Sequence, residues 1–184
     1  MIRRFSLTGL LGAFLTGCVA ASVNNPMLQG AEVGVFPAVT AADLEGREYA
    51  LPRDLPAVPT ILLLGFAHEQ RAAVSRWRAL LERDLTLQPR PPIFEVPVID
   101  NKSAPLRTII RNGMRAALDD AGRHHTLTLF LERAEFLKVL ELEAGFPAVI
   151  ALTPSGRIVW QYAGSPDPAV VPQLQVALAN ESRR

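Results

Sequence analysis

Cysteine is almost missing: the 184 residues contain one, Cys18. A single thiol excludes an intrachain disulfide and any reaction that needs a dithiol pair. Charge of one sign is missing too, with a formal net charge of +1. Removing Arg3 and Arg4 from the 19 basic groups leaves one fewer than the 18 acidic ones. Such a balance gives no electrostatic footprint for nucleic acid. Histidine is scarce, at three. Three imidazoles could make a metal site, but adjacent His124 and His125 in a strand would point to opposite faces and not easily bind one ion. No Ser-His-Asp order, phosphate-cradling glycine loop or paired-carboxylate signature stands out. No internal repeat or low-complexity tract is visible. No cofactor or metal is expected, and no catalytic residue is assigned.

What is present begins at the N-terminus. Arg3-Arg4 precede an apolar run from Phe5 to Phe14, and Leu15-Thr16-Gly17-Cys18 follows. A short positive region, a short apolar run and small residues make a secretory signal peptide, too short for a permanent span. The tetrapeptide resembles the bacterial lipobox. That resemblance implies acylation of Cys18, cleavage before it, and attachment to a membrane of the bacterial cell envelope, facing the periplasm. Several acyl chains anchor stably where one does not. The absence of aspartate after Cys18 favours the outer membrane. Val19-Ala20-Ala21 also permits ordinary secretory cleavage. The expected organisation is a signal peptide over 1–17, a lipidated tether over 18–34 and one domain over 35–184. With lipid on Cys18, the mature protein would have no free thiol.

From Val35 the pattern alternates. Val35 to Thr40 and Glu48 to Leu51 read as short strands around Asp43-Leu44-Glu45-Gly46. Thr60 to Phe66 reads as a strand buried on both faces. Ala73, Val74, Trp77, Leu80, Leu81 and Leu85 recur at helical spacing over 70–85. Ile93 to Ile99 is the next strand. Leu106, Ile109, Ile110, Met114, Ala117 and Leu118 then predict the core face of a second helix. Thr126 to Leu131 reads as a strand and Glu132 to Leu142 as a short helix. Pro147 to Thr153 and Arg157 to Tyr162 form a hairpin through Pro154-Ser155-Gly156. A helix over 169–180 closes the chain. Strands alternating with helices imply an α/β fold: a mixed sheet flanked by helices.

This order resembles the thioredoxin-like superfamily in its extended form. An inserted strand-helix unit precedes the C-terminal β-hairpin plus helix. The segment from Gly145-Phe146-Pro147 through Gly164 carries the resemblance most specifically, and it implies that Pro147 is the cis proline of that superfamily. The redox members carry Cys-x-x-Cys after the first buried strand. Here that segment is Phe66-Ala67-His68-Glu69-Gln70-Arg71-Ala72-Ala73, without cysteine. The disulfide chemistry therefore has no residue to carry it. Trp77, Asn112-Gly113-Met114-Arg115, Thr126 to Phe130 and Gly156 to Trp160 are similar to the mitochondrial ATP synthase assembly factors. Those are thioredoxin-like membrane chaperones without redox cysteines. The resemblance implies a non-enzymatic binding or assembly factor, with a membrane and a polypeptide as partners.

The candidate partner-binding residues are His68, Glu69, Pro147, Trp160, Arg107, Arg111 and Arg115. His68 and Glu69 stand where the thiols would be. They could serve an enzyme or metal-binding protein as ligand or general base. They could equally be an ordinary helix start, with Glu69 favourable to the dipole. An exposed Trp160 would mark a partner site. Arg107, Arg111 and Arg115 form an i, i+4, i+8 row, suited to anionic headgroups or an acidic partner, or simply a solvated face. His124-His125 are expected in a loop.

Overall fold

The computed structural model describes residues 34–181. The segments expected to be a signal peptide and most of a tether, with Cys18, lie outside the described residues. Strands β1 (Val39–Ala42) and β2 (Glu48–Leu51) pair as an antiparallel ribbon. The main sheet contains β3 (Thr60–Gly65), β4 (Ile93–Asp100), β5 (Leu129–Leu131), β6 (Ala148–Leu152) and β7 (Ile158–Ala163). Its order is β5-β4-β3-β6-β7. The β3–β4 and β4–β5 pairs are parallel, whereas β3–β6 and β6–β7 are antiparallel. The helices are α1 (Arg71–Asp84), α2 (Ala104–Ala116), α3 (Asp120–His124), α4 (Arg133–Val139) and α5 (Val171–Glu181).

Strand periodicity divides the core in two. Along β3, Leu62 and Leu64 face one cluster, while Ile61 and Leu63 face the other. The first cluster packs the ribbon and α4 against the sheet through Phe36, Leu51, Phe136 and Leu137. The second packs α1 and α5 through Val74, Trp77, Leu81, Leu174 and Leu178. Two covered faces explain why β3 and β6 are apolar at nearly every position. The expected neighbours Thr60–Phe66 and Ala148–Leu152 do pair, with Leu62 opposite Ile150.

A bulge sets the aromatic face of β7. Leu152 pairs with Ile158 and Ala151 with Trp160, leaving Val159 as the extra residue. Ile158 thus faces the first core, while Trp160 and Tyr162 pack on the second. Simple alternation would have put all three on one face.

Three expectations change. The first strand lies at Val39–Ala42, because Val35 makes only an isolated bridge to Arg157. The strand expected from Thr126 shrinks to Leu129–Leu131. There Thr128 turns to the ribbon, donating its N–H to the Ala42 carbonyl at 2.7 Å. The third change is larger. No residue of α2 is buried, so Leu106, Ile109, Ile110 and Met114 do not face a core. The reason lies in β4. It turns Phe94, Val96 and Val98 into the first core, so beyond Ile93 its other face offers only half-buried Glu95, Pro97 and Ile99. Ile110 and Met114 of α2 are therefore only half-buried, and Leu106 and Ile109 are exposed.

Candidate functional site

The site is built where β3 ends. Ala67, His68 and Glu69 are exposed, and His68–Gln70 form one 3-10 turn leading into α1. Gln70 closes the turn. Its Oε1 accepts the Phe66 N–H at 2.8 Å, and its Nε2 donates to the Ala144 carbonyl at 2.7 Å. Arg133 of α4 donates to the Phe66 carbonyl at 2.5 Å and pairs with Asp100 at 2.9 Å. One glutamine therefore ties the segment at the thiol positions to the loop before β6. Arg133 ties the ends of β3 and β4.

Pro147 is buried at the start of β6, and its carbonyl accepts the Gly164 N–H at 3.0 Å. The expected cis bond is not there. Among the described residues the cis bonds are Leu51–Pro52 and Gln88–Pro89, so Phe146–Pro147 is trans. Trans is the intrinsically preferred isomer, and the Gln70–Ala144 and Gly164–Pro147 bonds hold the loop in that approach. Phe146 is left 56% exposed. Val139 of α4 is exposed as well, at 60%. The Gln70–Ala144 bond thus joins the segment bearing His68 and Glu69 to the loop bearing Phe146, which together form the exposed rim of the site.

Behind the rim lies an aromatic brace. Trp77 is buried, and its Nε1–H donates to the Gly164 carbonyl at 3.0 Å. Its ring meets Tyr162 edge-on at 5.6 Å, and Tyr162 stacks on Trp160 at 6.1 Å. Trp160 is half-buried against the second core, so it supports the site more than it presents a free face. Burial raises the Tyr162 phenol above its ordinary value of 10.0, and Asp167 adds to this. A raised value means that the folded chain keeps this proton where the unfolded chain loses it. Stability from this residue is full below pH 10.0 and falls as pH climbs through the raised value. Tyr162→Phe should flatten the alkaline arm of a stability–pH curve, read by urea unfolding.

The remaining candidates do not join this site. Arg107 lies over the Phe130 ring at 5.5 Å and donates to the Lys102 carbonyl at 2.6 Å. Arg115 pairs with Glu45 at 2.7 Å. Arg111 is half-buried beside them. The histidines are dispersed. His124 ends α3, with Nδ1 3.3 Å from Oδ2 of the fully buried Asp43. The Nδ1 of His125 is 2.8 Å from the Ala121 carbonyl, and its ring stacks on Phe94. His124 is the last residue of α3, which Asp119 caps by accepting the Gly122 N–H, whereas His125 lies in the turn between α3 and β5, as expected. Among the described residues no group of three His, Cys, Asp or Glu could hold a metal.

A groove of about 730 Å³ lies elsewhere, between α1 and α3, lined by Arg78, Glu82, Glu95 and His125 among others. Within it Arg78 pairs with Glu95 at 2.6 Å and with Glu82 at 3.4 Å. Sequence reasoning did not single out Gln70, Arg133 or Phe146 for this site. The Gln70 and Arg133 bonds span 74 and 67 residues, beyond any local pattern. Phe146 is legible only as an aromatic before the proline of a buried strand.

A mixed sheet, a helix launched from the end of β3 and a proline-led strand beside it define a thioredoxin-like α/β fold. No family model and no curated protein matches the chain, but solved structures do. A protein of Aquifex aeolicus given an electron-transport role superposes with a TM-score of 0.55 at 19% identity. It covers 84% of this chain and 100% of its own. BsSco, of the Sco family of cytochrome c oxidase assembly proteins, gives 0.55 at 11% identity, covering 82% and 95%. The exposed lipoprotein thioredoxin of Streptococcus pneumoniae gives 0.52 at 13%, covering 77% and 100%. At such identities the fold is what is shared.

Proposed function

We propose that this chain is a membrane-anchored, redox-inactive thioredoxin-like protein that holds a polypeptide partner during assembly of envelope complexes. The observation that carries this reading is the segment after β3. It has exposed Ala67, His68 and Glu69 where redox relatives place thiols, with Gln70 spent on backbone bonds. No sulfur nucleophile follows Cys18 in the sequence. A rim of Phe146, His68 and Glu69 offers apolar contact and hydrogen bonds, the chemistry of peptide capture. The assembly role follows the resemblance to thioredoxin-like assembly factors, and it agrees with BsSco, whose family assembles an oxidase. The anchor follows the lipobox, and a similar structure is itself an exposed lipoprotein.

Four measurements test this. A photocrosslinking residue at Phe146 in living cells should capture a discrete envelope polypeptide, and Glu69→Arg should abolish the adduct. A deletion strain with intact envelope complexes and no adduct would sink the reading. Cys18→Ser should move the protein from the membrane fraction to the periplasmic extract, because the acyl chains supply the anchoring. Turnover of a disulfide substrate by the purified chain would refute redox inactivity.

A further inference from the structure

We propose that α2 lies on an anionic lipid surface, with Leu106 and Ile109 entering the headgroup–acyl boundary. Three observations converge. First, none of the residues of this 13-residue helix is buried, although its sequence is strongly amphipathic. Most protein helices owe their stability to packing an apolar face; here Ile110 and Met114 are half-buried against the domain, and the side bearing Leu106 and Ile109 is left without a counterpart. Second, the outward stripe is apolar or small. Leu106 is 41% exposed and Ile109 66%, with exposed Gly113 and Ala116 continuing at helical spacing. Nothing lies within 4 Å of the Gly113 Cβ position. Third, residues 101–118 carry Lys102, Arg107, Arg111 and Arg115 and no acidic residue.

This division matches a helix lying in a bilayer interface, with an apolar face inserted and basic residues on the polar face. A helix is only about 10 Å across. Arg107, Arg111 and Arg115 lie on the opposite side, Arg107 over Phe130 and Arg115 on Glu45, but across one helix diameter their charge still acts on the headgroups within roughly one Debye length, ~8–10 Å. Asp119 and Asp120 sit past the C-terminal end, and Glu45 already holds Arg115. The N-terminal half, with Lys102 exposed, is therefore the deeper half. A second copy is a poor occupant, since Leu106 and Ile109 are the only large apolar side chains exposed on α2, too little area for a stable dimer. The lipid occupant is independent of the crevice and of what it binds.

The test uses the full chain with Cys18→Ser, so that an introduced cysteine is the sole labelling site. An environment-sensitive fluorophore is attached through Ile109→Cys, or through Val176→Cys on α5 as the control, which is also exposed. With phosphatidylcholine vesicles containing phosphatidylglycerol, emission at 109 should rise and shift to the blue. Raising NaCl to ~1 M, where the Debye length is about 3 Å, should reverse it. Emission at 176 should stay constant, and phosphatidylcholine alone should give little change. Arg111→Gln should weaken partitioning about fivefold with unchanged circular dichroism.

No rise at 109, equal rises at 109 and 176, or equal binding to neutral vesicles would each overturn the proposal. So would a rise that needs only higher protein concentration, which would identify a second copy. A rise with polyglutamate but not with vesicles would assign the face to an acidic polypeptide instead.

Discussion

Trp77→Ala is expected to destabilise the domain by about 3–5 kcal/mol, the usual range for emptying a buried large aromatic site. Trp77 is 1% exposed and fills the space between α1 and β7. Three contributions disappear together. The apolar area of the ring is lost, and so is the edge-on contact with Tyr162, of a kind worth about 0.5–1.5 kcal/mol beyond area. The buried Gly164 carbonyl also loses its Nε1–H donor. Trp77→Phe separates these effects. It keeps a ring but strands the carbonyl, a cost of about 1–3 kcal/mol. Urea unfolding measures both, read as a shift in midpoint at constant slope. A loss below about 1 kcal/mol for the alanine variant would mean that the brace is not structural. Because Gly164 closes β7 and donates to Pro147, the same variant should loosen the loop bearing Phe146 and weaken partner capture.

Gly156→Ala should cost about 3 kcal/mol, and its origin can be separated from glycine effects in general. Gly156 turns the β6–β7 hairpin at φ +84°, and a Cβ there would stand 2.2 Å from Pro52 Cγ. Two penalties combine: roughly 1–2 kcal/mol for a left-handed backbone with a side chain, and about 1–3 for overpacking. Gly46 provides the control. Its φ is +93°, but nothing lies within 4 Å of its Cβ position, so Gly46→Ala should show the backbone penalty alone. Thermal or urea unfolding of the two variants gives the difference. Equal losses would mean that Pro52 yields freely. Domains of this kind have only about 5–15 kcal/mol in hand, so either Trp77→Ala or Gly156→Ala should lower the amount of folded protein in cells.

Much of the fold was legible because it rests on periodic patterns. The runs Thr60–Phe66 and Ala148–Leu152 announce strands covered on both sides, and they pair side by side. The spacing around Trp77 announces the core face of α1, where Trp77, Leu80 and Leu81 are buried. The turn at Pro154-Ser155-Gly156 announces the hairpin that joins β6 to β7. The same logic misled at α2. Its helix and its apolar stripe were both foreseen, but the stripe had been given to a core that β4 does not provide. The candidate site was legible in part. His68, Glu69 and Pro147 could be placed by their order along the chain, whereas Phe146, Gln70 and Arg133 enter through contacts the pattern does not encode.

The sequence by itself determined the chemistry that is possible. With Cys18 as its one sulfur nucleophile, no folding arrangement could supply a dithiol, and the alternation of apolar runs was enough to specify a layered α/β sheet. Tertiary structure alone decided which surfaces remain open. Whether an amphipathic helix is covered depends on what the neighbouring strand presents, and whether a proline is cis or trans depends on the bonds that hold its loop. Both are settled by residues distant along the chain, and a local pattern carries no information about them.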